Sequence, residues 1–209
     1  FKMYDCYTGF KWIASVIREN EGKARYIGGG EESYGFLPED FVRDKDSVSS
    51  ISLMAEIAAW AKDKGMTMYQ MLQDIYIKYG YSKEKGISVV RKGKSGAEEI
   101  VAMMKNFREN PMKELGGSPV ILIKDYASLE ATDMVNGTKS KLDMPVTSNV
   151  LQYFSADGSK VSIRPSGTEP KIKFYIEVRG IKMDNYADYD AANAAADAKI
   201  EAIKKELGI

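Results

Sequence analysis

Residues 161–178 read "VSIRPSGTEPKIKFYIEV", two runs of alternating apolar residues around a connector of Arg164, Pro165, Ser166, Gly167, Thr168, Glu169 and Pro170. The connector is built from groups that bind anions. Arg164 offers a planar fork for bidentate contact with anionic oxygens. Ser166 and Thr168 add hydroxyl donors. Gly167 lets the backbone turn and its N–H approach closely, as in an anion-binding nest. Lys171 and Lys173 add charge, and the two prolines stiffen the ends. This chemistry suits a phosphate. The same residues also describe a hairpin loop with solvated polar side chains, and composition alone leaves both readings open.

The flanking elements must hold such a loop. Ile172, Phe174, Ile176 and Val178 alternate with Lys171, Lys173, Tyr175 and Glu177, so one strand face is core and the other polar. Val161 and Ile163 alternate likewise with Ser162 and Arg164, and the connector therefore starts and ends on pinned strands. Upstream, Asp157-Gly158 marks the turn of a hairpin through "NVLQYFSADGSKVSIR". Downstream, an alanine-rich helix is expected from about Asp188 to Leu207, packed on the sheet rather than offered to a partner.

Earlier segments have a different pattern. Phe10, Ile13, Ala14 and Ile17 have helical spacing. "ARYIGGGEESYGF" reads as a short strand-like piece running into glycines. Asp46 or Ser47 can cap a long helix stopped by Gly65, and Thr67 the next, stopped by Gly80. From 81 onward the reading is strand, helix closed by Pro111, strand through "SPVILIKDY", a polar stretch at 127–145, then the hairpin. The expected architecture is an α/β segment over 1–80 followed by a compact α+β domain over 81–209, with mostly antiparallel strands.

Composition narrows the chemistry. The chain has 209 residues, with Lys+Arg and Asp+Glu equal at 30 each, so no global field favours nucleic acid or an anionic membrane. Any anion site must be local. With no histidine, His-based triads, imidazole acid–base work and zincin-type metal sites are excluded. A single cysteine, Cys6, excludes an internal disulfide framework and suits a reducing compartment such as the cytoplasm. No apolar run approaches a membrane span. The start lacks a Met and enters amphipathic sequence at once, which reads as a chain cut from something longer.

"RPSGTEP" resembles the phosphate-binding loop of the C-terminal domain of the α-D-phosphohexomutases, the phosphoglucomutase/phosphomannomutase family. Three further stretches agree in order. "GGGEESYGF" (28–36) resembles the sugar-binding loop of that family's third domain, "RDKD" (43–46) the stretch that supplies a substrate-facing lysine, and "TGFK" (8–11) the stretch before the first helix of the same domain. The resemblance implies residues 1–80 as part of domain three, N-terminally truncated, and 81–209 as the C-terminal domain, an antiparallel sheet with helices of TATA-binding-protein-like type. It implies that Glu31 and Ser33 hold sugar hydroxyls, with Lys45 and Lys11 near the substrate, and that Arg164, Ser166, Gly167, Thr168 and Lys171 hold its phosphate. A carboxylate suits vicinal hydroxyls because it accepts at several sites and has no competing donor. Lys45 and Lys11 read equally as solvated lysines at helix starts. Some family members carry Gly-His after the loop serine. Here Tyr34-Gly35 follows, which looks more like the glucose-directed enzymes.

The family moves a phosphoryl group between C1 and C6 of a hexose through a bisphosphorylated intermediate, using a phosphoserine and a Mg²⁺ held by an aspartate-rich loop. Neither motif occurs in this sequence. The resemblance therefore places both outside this chain, implies the missing N-terminal domains as partners, and implies that the fragment alone is inactive. It retains recognition of the hexose phosphate, with residues near Gly80 as a hinge. The rival reading is a stand-alone phosphosugar-binding module without chemistry. A nucleotide-binding P-loop at Gly93-Lys94-Ser95 fails because the required glycine five residues earlier is Ser88; a helix start capped by Ser95, with Glu98 three residues on, fits those residues better.

Overall fold

The structure, a computed structural model, describes residues 1–31 and 34–209, with Lys94 described through its backbone alone. Tertiary contacts divide the chain into two compact units, Phe1–Leu72 and Gln73–Ile209.

The first unit opens with helix α1 (Phe10–Glu19), whose buried stripe holds Phe10 and Ile17. Strands β1 (Gly29–Gly30) and β2 (Phe36–Leu37) form a two-residue antiparallel ladder with Gly30 opposite Phe36. Phe10, Ile17 and Leu37 make a small core, with Ile13 and Tyr26 packed against it. Helix α2 (Ser47–Asp63) begins at Asp46, whose carboxylate accepts from the N–H groups of Val48 and Ser49 at 3.1 and 2.9 Å. Those two bonds satisfy orphan donors of the first turn, which decides for Asp46 over Ser47 as the cap. Helix α3 (Met68–Tyr79) starts at Thr67, where Thr67 and Gln70 exchange side-chain-to-backbone bonds in a capping box, and its second half belongs to the second unit.

The second unit is built on an antiparallel sheet. Its strands are β3 (Tyr81–Val90), β4 (Glu114–Leu115), β5 (Ser118–Asp125), β6 (Glu130–Asp133), β7 (Lys139–Lys141), β8 (Leu151–Ser155), β9 (Lys160–Pro165) and β10 (Lys171–Ile181), in the order β3-β10-β9-β8-β5-β6-β7, with β4 paired to β5. Helix α4 (Gly93–Glu109) follows β3, and α5 (Tyr189–Leu207) ends the unit after a short 3-10 turn at Tyr186–Asp188. Strict alternation places Leu151, Tyr153, Val161, Ile163, Ile172, Phe174, Ile176 and Val178 on one face, all of them buried. Ile100, Met104 and Phe107 of α4 and Ala192, Ala196, Ile200 and Ile203 of α5 complete that core. The alanines of α5 are thus its sheet-facing stripe, small enough to let the helix lie close. The chain is α/β followed by α+β, as the sequence reading expects.

Two expectations need correction. The polar stretch at 127–145 carries β6 and β7, which pair with each other and continue the sheet outward from β5. Their residues, Glu-Ala-Thr-Asp and Lys-Ser-Lys, lack an apolar alternation because an edge hairpin has little to bury. Ser95 does not cap α4 either. The helix begins at Gly93, which has a left-handed φ of 76°, and Lys92 is the capping residue, without a side-chain cap bond. Among the described residues, no helix is long and apolar enough to cross a membrane.

Candidate functional site

The connector at 164–170 lies between β9 and β10, and both strands are buried along one face up to its ends. Ile172 pairs with Pro165, and Lys173 lies directly opposite Arg164. The loop is also closed on itself. The Ser166 N–H donates to the Lys171 carbonyl at 2.8 Å, and the Arg91 N–H, from the β3–α4 turn, donates to the Pro170 carbonyl at 2.9 Å. Within the turn, the Ser166 hydroxyl oxygen accepts from the N–H groups of Thr168 and Glu169 at 3.4 and 3.3 Å. A hydroxyl has one donor and two acceptor positions, so this arrangement leaves its O–H to donate.

Charge gathers at this strand end. Arg164, Lys171 and Lys173 project to the sheet face opposite α4 and α5, all three half-buried. Like charges directly opposite each other in a ladder are destabilising unless an anion lies between them. Gly167 adds a second sign of a ligand. Its φ is outside the left-handed range, and a Cβ there would meet nothing within 4 Å. The chain itself does not require a glycine at that position, whereas close approach of a ligand would.

In the first unit, the glycine loop and the start of α1 meet at one carboxylate. Glu31 Oε1 accepts from the Gly9 N–H at 2.7 Å, and the Glu31 N–H donates to the Gly35 carbonyl at 2.9 Å. Gly28, Gly29 and Gly30 have no left-handed φ, and it is close packing that calls for glycine at positions 30 and 35. A Cβ on Gly30 would sit 2.8 Å from the Gly35 carbonyl oxygen, and one on Gly35 would sit 2.6 Å from the Phe10 ring. Phe10 is the hub of this cluster. Lys45 Nζ stands 5.1 Å from the centre of its ring and also bonds Asp44 Oδ1 at 3.1 Å. That bond, first among the causes, lowers the Asp44 carboxyl below its ordinary range. Lys11 turns elsewhere, with Nζ 4.8 Å from the Trp12 ring centre. The fold therefore brings Glu31 and Lys45 around Phe10 and leaves Lys11 aside. Ser33 lies outside the described residues.

The sequence reading missed the Gly9 N–H, which is paired to Glu31 across 22 residues, and the pairing of Glu169 with Lys171. Neither has a local signal, since both depend on how the backbone folds back. Tyr34, fully exposed with a left-handed φ of 58°, stands at the tip of the glycine loop and is a further candidate for contact with a ligand. A shallow groove lies elsewhere, along α4, lined by Val101, Met104, Lys105, Arg108, Glu109 and Asn149. Arg108 is already engaged there by Asp125 and Asn149, and the groove has none of the convergent polar groups of either loop.

Comparison with known proteins resolves what these two loops belong to. The family model described as "Phosphoglucomutase/phosphomannomutase, alpha/beta/alpha domain III" matches residues 1–79, and "Phosphoglucomutase/phosphomannomutase, C-terminal domain" matches residues 123–196. The chain belongs to the phosphoglucomutase/phosphomannomutase family. Glu31, Lys45 and Lys11 fall within the domain III match, and residues 164–171 within the C-terminal-domain match. The phosphoglucomutase of Staphylococcus aureus strain MRSA252 is 39% identical over 180 residues, 86% of this chain and 32% of its own length. That of Staphylococcus haemolyticus strain JCSC1435 is 35% identical over 178 residues, 85% of this chain and 32% of its own length. The chain thus spans about a third of the length of these phosphoglucomutases. The open form of the exocytosis-sensitive phosphoprotein pp63/parafusin, a phosphoglucomutase from Paramecium, matches in fold with a TM-score of 0.56 at 19% identity, over 97% of this chain and 34% of that one.

Proposed function

We propose that this chain is the substrate-recognition part of a phosphohexomutase that interconverts hexose 1-phosphate and hexose 6-phosphate. On this reading residues 1–80 form the sugar-binding part of domain three, and 81–209 the phosphate-binding C-terminal domain. The observation that carries it is the cluster of Arg164, Lys171 and Lys173 at one strand end, next to a glycine that the chain itself does not need. Arg164, Ser166, Gly167, Thr168 and Lys171 hold the phosphate remote from the reaction. Glu31 and Ser33 accept from sugar hydroxyls, with Lys45 beside them. Glu31 suits that role because one carboxylate oxygen is fixed by Gly9, so the group is oriented before a sugar arrives.

The substrate must present each end in turn, so the loop at Arg164 holds the distal phosphate in either orientation. Binding energy from that phosphate then positions the reacting end. Mg²⁺, implied by family, finds no group of three or more carboxylate or thiolate side chains able to hold it among the described residues. The phosphoryl donor and the metal loop are assigned to the remainder of a full-length phosphohexomutase, and this chain alone is expected to bind without turnover.

Titration with glucose 1-phosphate tests the reading. Loss of a bidentate charge-assisted contact in Arg164→Ala should weaken binding by about 10- to 100-fold. Equal affinity in both proteins would sink the phosphate-loop assignment.

A further inference from the structure

A loop that binds anions has no evident use for an acid, yet Glu169 sits within it, between Thr168 and Pro170. Its carboxylate forms a salt bridge with Lys171 Nζ. The lysine side chain is 28% exposed and the carboxylate 59%, so the acid is the outer, more accessible member of the pair. The backbone does not depend on it. The loop is closed by Ser166 N–H to the Lys171 carbonyl, by Lys171 N–H to the Glu169 carbonyl, and by Arg91 N–H to the Pro170 carbonyl. All three bonds are independent of the Glu169 side chain, which is therefore spare as a structural element and placed where a ligand anion would go.

We propose that Glu169 is an internal counter-anion of the loop: its carboxylate occupies Lys171 until a phosphate takes its place. The proposal rests on the reading of residues 164–171 as a phosphate site. Three cations converge at this strand end, and like charges facing each other across a ladder repel. Glu169, paired with Lys171 beside the facing Arg164 and Lys173, lowers the net positive charge of the group when no ligand is bound. An ammonium has three donors and no acceptor, so Lys171 exchanges a carboxylate for phosphate oxygens without any change in its own protonation. The Glu169 carboxyl is held below its usual range by its bonds to Lys171, so it is a charged competitor across the neutral range. Release of the carboxylate into water, where it is already more than half exposed, makes the exchange mild. The consequence is an affinity set lower than the cations alone would give, which favours exchange of the two substrate ends.

The test is titration of the chain with inorganic phosphate at low ionic strength, followed through the backbone amides of residues 164–171. An exposed ion pair is held only weakly, so removing the competitor in Glu169→Gln should tighten binding by about three- to fivefold. The gain should vanish in a Lys171→Met background, while Arg164→Ala should weaken binding in every background. If Arg164→Ala weakens binding but Glu169→Gln leaves it unchanged or weaker, the counter-anion role is overturned and the phosphate site stands. A gain that persists with Lys171→Met would reflect net charge alone and also overturns it. No response of these amides to phosphate in the wild-type chain would overturn the site itself.

Discussion

The two candidate loops are held in contrasting ways. The connector at 164–170 hangs between strands whose inner residues are completely buried, Ile163 and Ile172 among them. The glycine loop of the first unit has only a two-residue ladder, one carboxylate-to-amide bond, and close packing at Gly30 and Gly35 that leaves no room for a Cβ. The proposed phosphate loop can be rigid because a large core fixes its ends. The proposed sugar loop instead depends on local fit, where the loss of a single contact matters more. Each substitution below tests that contrast, beginning with the largest effect.

Phe174 is buried at the centre of β10, with its ring 6.0 Å from that of Phe107 in an edge-to-face arrangement. Phe174→Ala should cost about 3–5 kcal/mol of stability by chemical denaturation. It should also broaden the amide signals of residues 164–170, since their anchoring strand loses its core contact. Retention of sharp loop signals at that cost would break the claim that the core fixes the loop.

A second support of the same core is polar. Lys199 Nζ of α5 bonds Asp157 in the β8–β9 turn and donates to Ser159 Oγ at 3.0 Å. Partial burial works against ionisation of Asp157, but the bonds from Lys199, Ser155 and Ser159 outweigh it and hold the carboxyl at about 2. Lys199→Met leaves that carboxylate without its cation and should cost about 1–3 kcal/mol. The folded pKa is depressed, so the unfolded chain binds more protons between the two values. The contribution is therefore complete above about pH 4 and fades as pH falls toward 2. Thermal melts between pH 2 and 5 should show a flatter profile in Asp157→Asn than in the wild type.

In the first unit, Gly35→Ala would place a methyl group 2.6 Å from the Phe10 ring. Overpacking of this kind costs about 1–3 kcal/mol. Because Lys45 stands over the same ring, the Lys45 side-chain signals should shift as well. Unchanged Lys45 signals would separate the two halves of the proposed sugar site.

Much of this was legible in the sequence wherever side-chain pattern and backbone demand coincide. The strict alternation of Ile172, Phe174, Ile176 and Val178 fixed both the strand and the loop it bears. Asp46 and Thr67 announced helix starts through their own hydrogen-bonding chemistry. The sequence was silent where structure depends on a partner. β6 and β7 are strands because β5 offers an edge, and their own side chains say little. The start of α4 misled because Ser95 has the chemistry of a cap, while the turn at Gly93 begins the helix earlier. Glu31 and Lys45 were identified by resemblance, but their common neighbour Phe10 read only as one apolar position of a helix.

The smallest expected effect probes the weaker loop most directly. On the proposed reading Glu31 has two tasks, to accept from Gly9 at 2.7 Å and to present its remaining oxygen to a sugar. Glu31→Gln keeps a carbonyl oxygen for Gly9, so stability should change by less than about 1 kcal/mol, whereas Glu31→Ala removes the acceptor and should cost about 1–2 kcal/mol. The amide presents an NH₂ where the carboxylate presented its second oxygen, and that group donates rather than accepts. Binding of a sugar hydroxyl should therefore weaken in Gln as much as in Ala. Parallel unfolding and glucose 1-phosphate titrations separate the two tasks. If binding follows stability across the pair, Glu31 only shapes the loop. If binding falls equally while stability does not, the carboxylate reads the sugar, and the contrast between a core-fixed phosphate site and a contact-fixed sugar site holds at the level of a single atom.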